Sequence, residues 1–247
     1  MSKKETAKKR KHRRKSRKYL ALFFAAIIIL GTLVALSLTV LFPIKHIQVG
    51  GSNIYTAEQI VSAANIKSKD NLLRVNEKEL LKSVQQSLPF IEKVEVKRKL
   101  PGTLIITVSD ATESHCYYVD GKYYSVNTDG RVLKEYTDLP ENIALVDCEV
   151  LKEETGVLTY VPTSSEAKAV IDELFSRDLT QNIILVSLKD IHNIEMYLDT
   201  DVTVKFGDAI YFAEKVDHFL SMNINEAGTV KLDQWNPQHK QGSFYAK

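Results

Sequence analysis

Cysteine, tryptophan and proline are scarce in this chain: its 247 residues hold two Cys, one Trp and six Pro. Two cysteines, Cys116 and Cys148, exclude a scaffold stapled by several disulfides. One bridge between them is permitted in an oxidising compartment. A buried free thiol is the alternative, because Cys116 opens the apolar run Cys116-Tyr117-Tyr118-Val119. Patterns that carry chemistry are missing as well. His12, His46, His115, His192, His218 and His239 show no metal-ligand spacing. Neither Gly-x-Ser-x-Gly nor a phosphate loop occurs. Ser165-Glu166-Ala167-Lys168 matches the Ser-x-x-Lys of penicillin-binding enzymes, yet their companions Ser-Asp-Asn and Lys-Thr-Gly are absent. Ser164 or Ser165 therefore reads as a helix cap. His115 beside Cys116 suggests a thiol–base pair, but strand alternation sends neighbours to opposite faces. The expectation is a protein that is no enzyme, with no cofactor and no metal site.

Charge is abundant but unevenly placed. The chain has 33 Lys/Arg and 31 Asp/Glu. Residues 1–18 hold eleven of the basic residues and one acid, Glu5, which leaves 22 basic and 30 acidic residues beyond them, a net of −8. Next to this tail stands 19–42, 24 residues without a charge. As a helix it would extend roughly 36 Å, enough for a hydrocarbon core of about 30 Å. Lys8, Lys9, Arg10, Lys11, Arg13, Arg14, Lys15, Arg17 and Lys18 then set a cytoplasmic amino terminus and meet anionic lipid. A cleaved signal peptide is the rival, but Leu38–Phe42 stays apolar past the tempting site Ala35-Leu36-Ser37. A nucleic-acid arm is a second rival that topology makes unnecessary.

Pro43 stops the span. Ile44–Val49 alternates as a strand up to Gly50-Gly51. Thr56 and Gln59 have capping-box spacing before a helix over Ala57–Ala64, and Asn76 and Glu79 repeat it before Glu77–Leu88. Val94 and Val96, then Leu104, Ile106 and Val108, alternate on either side of Leu100-Pro101-Gly102-Thr103, a type II turn signal. Strand, helix, helix, strand, strand makes a compact α+β unit with both helices on one face. Beyond it, Asp120-Gly121 joins Cys116–Val119 to Tyr123–Val126 as a hairpin. Thr128-Asp129-Gly130 turns into Arg131–Leu133, and Ile143–Val146 is a short strand. The stretch to about Thr163 is polar and unpatterned. Ser165–Arg177 and Ala209–Met222 read as helices, and Ile183–Leu188, Ile194–Leu198, Val202–Phe206 and Thr229–Trp235 as strands. Asn236–Lys247 has no periodicity and reads as a frayed tail or one ordered on binding.

The order of elements resembles the FtsQ/DivIB family of bacterial cell-division proteins. The resemblance rests on residues 47–56 (Ile-Gln-Val-Gly-Gly-Ser-Asn-Ile-Tyr-Thr) and 88–104 (Leu-Pro-Phe-Ile-Glu-Lys-Val-Glu-Val-Lys-Arg-Lys-Leu-Pro-Gly-Thr-Leu). It continues in Asp129-Gly130-Arg131-Val132, Val204-Lys205-Phe206-Gly207-Asp208, Glu214-Lys215 and Gly228-Thr229-Val230-Lys231-Leu232-Asp233. It implies a POTRA-type β-α-α-β-β module at 43–110, a family-specific β-rich domain with flanking helices at 111–235, and a tail at 236–247. It also implies a scaffold at the division septum. The expected partners are small bitopic proteins of the FtsL and FtsB/DivIC types and, beside them, septal peptidoglycan synthases, in a role that organises or regulates septal peptidoglycan synthesis. Nucleic acid is not among the expected partners.

Competing readings are a membrane-anchored ligand sensor, a POTRA-type assembly or chaperone module, and a hydrolase. A sensor needs a larger cytoplasmic output module than 18 residues, and no barrel-sized strand series follows the POTRA-type unit. Within the scaffold reading, Thr229–Trp235 is expected to keep one unpaired edge, open to strand addition. Val230 and Leu232 would then face one way and Thr229, Lys231 and Asp233 the other. Trp235 closes the strand as an aromatic anchor, with Tyr211 and Phe212 on the preceding helix as contributors. Resemblance points the same way, since the family's FtsB/DivIC-type partner is bound near the end of the β-rich domain. The alternative is that Val230, Leu232 and Trp235 only complete the core.

Overall fold

The computed structural model describes residues 19–20, 22–34, 36, 42–67, 70–154, 156–177, 183–222, 224, 226–238 and 242–247. The basic tail lies outside them. Residues 19–20, 22–34 and 36 are helical and exposed. No described helix is long and apolar enough to cross a membrane. The span expected over 19–42 includes positions 21, 35 and 37–41, which are not among the described residues.

Alternation and capping build the first unit. Strands β1 (His46–Gly50), β2 (Ile91–Lys99) and β3 (Thr103–Asp110) form a sheet in the order β1-β3-β2, with β1 parallel and β2 antiparallel to β3. Helix α1 (Ala57–Ala63) starts at a complete capping box: the Gln59 N–H donates to Thr56 Oγ1 (3.3 Å), and the Thr56 N–H to Gln59 Oε1 (2.8 Å). At α2 (Glu77–Ser87) the cap is single, with the Lys78 N–H donating to Asn76 Oδ1. Glu77 instead accepts from the Val96 N–H and ties the helix to β2. Ile60, Leu80 and Val84 meet Leu104, Ile106 and Val108 in one buried cluster. Each such side chain removed from water stabilises by about 1.5–3 kcal/mol. The β2–β3 connection corrects the turn expected from sequence. Gly102 does not adopt positive φ, so no type II turn forms there. Its carbonyl accepts from Lys45 and His46 N–H groups, and a Cβ would sit 2.7 Å from the Pro43 carbonyl oxygen. Close backbone approach, not a left-handed turn, explains this glycine.

Among the described residues the second sheet has nine strands, in the order β14-β13-β12-β11-β10-β7-β4-β5-β6. In chain order they are β4 (His115–Val119), β5 (Lys122–Val126), β6 (Val132–Tyr136), β7 (Ala144–Asp147), β10 (Ile183–Ser187), β11 (Ile194–Leu198), β12 (Val202–Gly207), β13 (Gly228–Lys231) and β14 (Ser243–Ala246). Asp120 and Gly121 both take positive φ, as a tight β4–β5 hairpin requires. Of the sheet's three parallel pairs, β4 with β7 is connected through β5 and β6, whereas β7 with β10 and β12 with β13 demand long crossovers. Helices α3 (Ser165–Phe175) and α4 (Phe212–Ser221) supply them. Their apolar stripes, Val170, Ile171 and Leu174 on one and Phe212 and Val216 on the other, enter a core with Val186, Val204 and Phe206.

Two segments read as unpatterned are ordered strands. Between β7 and α3, β8 (Val150–Glu154) pairs with β9 (Leu158–Pro162) as a separate hairpin. Four of the five β8 residues are exposed, so no apolar period marks it. At the carboxyl end, β14 pairs with β13 inside the stretch expected to be a tail.

The two units meet at a polar junction. Glu92 on β2 accepts from Asn127 Nδ2 (3.0 Å) and pairs with Arg131 (2.5 Å), whose guanidinium also reaches the Pro89 carbonyl. Asn127 Oδ1 accepts the Asp129 and Arg131 N–H groups, which fixes the loop carrying the arginine. At the tip of the β8–β9 hairpin, Gly156 packs so closely on α2 that a Cβ would stand 2.8 Å from Lys82 Cε.

Candidate partner-binding edge

The carboxyl-terminal end of the large sheet is organised by a lysine. Lys215 on α4 is buried, and its Nζ donates to the Phe206 carbonyl (2.8 Å), the Asp208 carbonyl (3.0 Å) and Asp208 Oδ1 (2.9 Å). Partial burial pushes the Asp208 carboxyl up, but the Lys215 hydrogen bond and charge outweigh this and hold it below its ordinary value. Gly207, at φ +71, lets the chain leave β12 against Asp233, whose Cα would be 3.0 Å from a Cβ there. The helix then begins at Tyr211, which is left-handed (φ +54) and makes no side-chain cap. That conformation is rare for a bulky residue.

Of the residues singled out from sequence, Val230 and Leu232 are fully buried, Thr229 is half-buried, and Lys231 and Asp233 are exposed. The expected two faces are therefore present. Phe212 packs on Phe206 at 4.9 Å between ring centroids. Trp235 is 6% exposed and lies beside Tyr211 (6.4 Å) and His218 (6.2 Å). Its Nε1 has no hydrogen-bond partner among the described residues. Tyr211, 47% exposed, stands outside on the rim. Together with Phe212 it lines a surface groove of about 720 Å³ that also includes Val170, Ile191 and Ala209.

The free edge expected along Thr229–Trp235 is not found there. The strand spans only Gly228–Lys231, and β14 covers its outer side in the register Gly228↔Ala246, Thr229↔Tyr245, Val230↔Phe244, Lys231↔Ser243. Leu232, Asp233 and Trp235 leave the sheet and turn, with Leu232 and Trp235 entering the core. The edge passes instead to Ser243–Ala246, where Phe244 is 38% and Tyr245 55% exposed. Sequence reasoning missed these residues. The aromatic pair Phe244-Tyr245 in an otherwise polar tail was their signal.

Other sequence candidates have settled structural roles. Ser164 caps α3 by accepting the Glu166 and Ala167 N–H groups, and Lys168 pairs with Asp172 one turn along rather than with Ser165. His115 is buried, stacked on Phe175 at 4.7 Å and set edge-on to Tyr117 at 4.9 Å. Burial, aided by the charge of Lys168, pushes its pKa down to about 3. Both cysteines are free thiols. Burial first, then Glu113 for Cys116 and Asp147 with Glu149 for Cys148, raises each to about 12, so both stay protonated and inert. Among the described residues no group of three or more His, Cys, Asp or Glu could hold a metal ion.

Comparison with known proteins agrees with this architecture. Residues 42–110 match the POTRA domain, FtsQ-type. Over 220 residues the chain is 24% identical to the cell division protein DivIB of Clostridium botulinum (strain Hall), covering 86% of this chain and 84% of that protein. Over 127 residues it is 27% identical to DivIB of Geobacillus kaustophilus, covering 49% and 48%. Over 92 residues it is 32% identical to the cell division protein FtsQ of Geobacter sp. (strain M21), covering 35% and 33%. With an FtsQ-type POTRA domain next to its β-rich domain and DivIB likeness along most of its length, the chain is similar to the FtsQ and DivIB cell division proteins.

Proposed function

We propose that this protein is a non-enzymatic scaffold of the bacterial division septum, anchored in the plasma membrane by 19–42 with its basic tail in the cytoplasm. Its exported domains bind small bitopic division proteins of the FtsL and FtsB/DivIC types and thereby help organise septal peptidoglycan synthesis. The names of its relatives support the division role. The observation that carries the binding role is the shape of the large sheet: it stays open, and it ends at a four-residue strand whose residues are all exposed. An open edge presents unpaired N–H and C=O groups on which another chain can add. Thr229, Val230, Lys231, Leu232, Asp233 and Trp235 form the wall behind that edge, and Tyr211 and Phe212 its neighbouring rim.

A fluorescent fusion of the full chain is expected at mid-cell, with bitopic division proteins co-purifying from detergent-solubilised membranes. Uniform membrane fluorescence in dividing cells, together with no such partner in the purification, would sink this reading.

A further inference from the structure

Strand β14 stands apart within its own sheet. Each of the other eight strands of that sheet contributes at least one buried residue, whereas Ser243, Phe244, Tyr245 and Ala246 are all exposed. None of them belongs to the buried core. What holds β14 is its ladder to β13, the Lys247 N–H donated to the Ala227 carbonyl (3.1 Å), and Lys231 Nζ set 5.0 Å from the Tyr245 ring centroid. The strand nonetheless has a prepared seat. A Cβ on Gly228 would stand 2.4 Å from the Tyr245 carbonyl oxygen and 2.7 Å from the Phe244 ring. A Cβ on Gly242 would stand 2.4 Å from Met222 Cε. Glycine at both places lets the returning chain lie close.

Resting on the reading of this end of the sheet as the partner site, we propose that β14 is an exchangeable strand. It occupies the edge of β13 until an incoming segment takes its place. The seat also describes the incoming chain: an extended segment, antiparallel to β13, with two consecutive aromatic residues. The first lies over Gly228 opposite Val230, and the second lies opposite Thr229 and within reach of Lys231. A strand on the same chain competes as an intramolecular ligand, at an effective concentration well above that of a dilute external segment. The affinity of any external strand is lowered by the small fraction of time that the seat is empty. Partner binding is thus regulated by the protein's own strand β14.

The test needs no division partner. The probe is a fluorescent synthetic peptide of residues 240–247, added to the full chain and to a chain ending at Gln238, both in detergent. The shortened chain is expected to keep its circular dichroism and melting, and to bind the peptide at least about tenfold more tightly than the full chain does. A peptide with alanine at both aromatic positions should not bind, and Gly228→Val in the shortened chain should abolish binding with melting retained. Equal peptide affinity for long and short chains would overturn the proposal, as would equal binding of the alanine peptide. So would a shortened chain that no longer folds, since β14 would then be part of the fold rather than a replaceable piece. Septal localisation is not read in this experiment, so the scaffold reading and strand exchange can fail independently.

Discussion

The two folded units solve the same problem, covering one face of a sheet with two helices, at different ranges. In the POTRA-type unit the sheet has three strands, and α1, α2, β2 and β3 follow one another along the chain. Its core is read off directly as the apolar positions of alternating strands and 3.6-residue stripes. The β-rich domain joins nine strands through two helical crossovers, and its outermost strand returns from the end of the chain. Sequence pattern there records which residues are buried but not which strand lies beside which.

Four changes sharpen or break this contrast, beginning with the largest expected effect. Leu104→Asp places an unpaired carboxylate in the fully buried centre of the POTRA-type core and should cost more than about 4 kcal/mol. The first unit should unfold while the nine-stranded domain still melts cooperatively. A single unshifted transition in the full chain would show that the face is wrongly assigned. Trp235→Ala removes a buried ring and should cost the β-rich domain about 3–5 kcal/mol. Were Trp235 only an interface anchor, chemical denaturation would find stability unchanged.

Acid should separate the units through His115. Its folded pKa, near 3, lies below the ordinary 6.5, so the unfolded chain takes up a proton that the folded chain refuses. This contribution to stability is complete above about pH 6.5 and is lost progressively as pH falls toward 3. At pH 5 the β-rich domain should have lost about 2 kcal/mol relative to pH 7. His115→Phe should flatten that slope and also remove a buried Nε2 that has no hydrogen-bond partner among the described residues. An equally steep slope in the variant would assign the acid loss to other groups. The smallest effect is expected for Thr56→Ala, which deletes the capping box and should lower the first unit's stability by about 1 kcal/mol. Its melting should fall by a few degrees, and the second unit's should not move.

Most elements were legible because their causes are local. The capping pair Thr56 and Gln59, the Asp120-Gly121 hairpin and the stripes of α3 and α4 depend on residues a few positions apart. Where two long-range requirements met at one residue, local reading went astray. Gly102 looked like a turn glycine and proved to be a point of backbone contact with Pro43. The candidate site was legible in part. Alternation alone puts Val230 and Leu232 on one face and Thr229, Lys231 and Asp233 on the other, but the structure decides that the first face is buried and that the edge expected to be open is filled by Ser243–Ala246.

The sequence by itself determined the charge asymmetry of the first 42 residues, the helices and most strands, and the likeness to FtsQ/DivIB proteins, since these reside in composition and near-neighbour spacing. Only the tertiary structure decided that Ser243–Ala246 form the outermost strand of the sheet, that Arg131 clasps Glu92 across the two units, and that Lys215 is satisfied by the 206–208 turn. Those outcomes depend on backbone groups left unpaired by distant parts of the chain, and a row of free N–H and C=O groups accepts any strand that can reach it, whatever its apolar pattern.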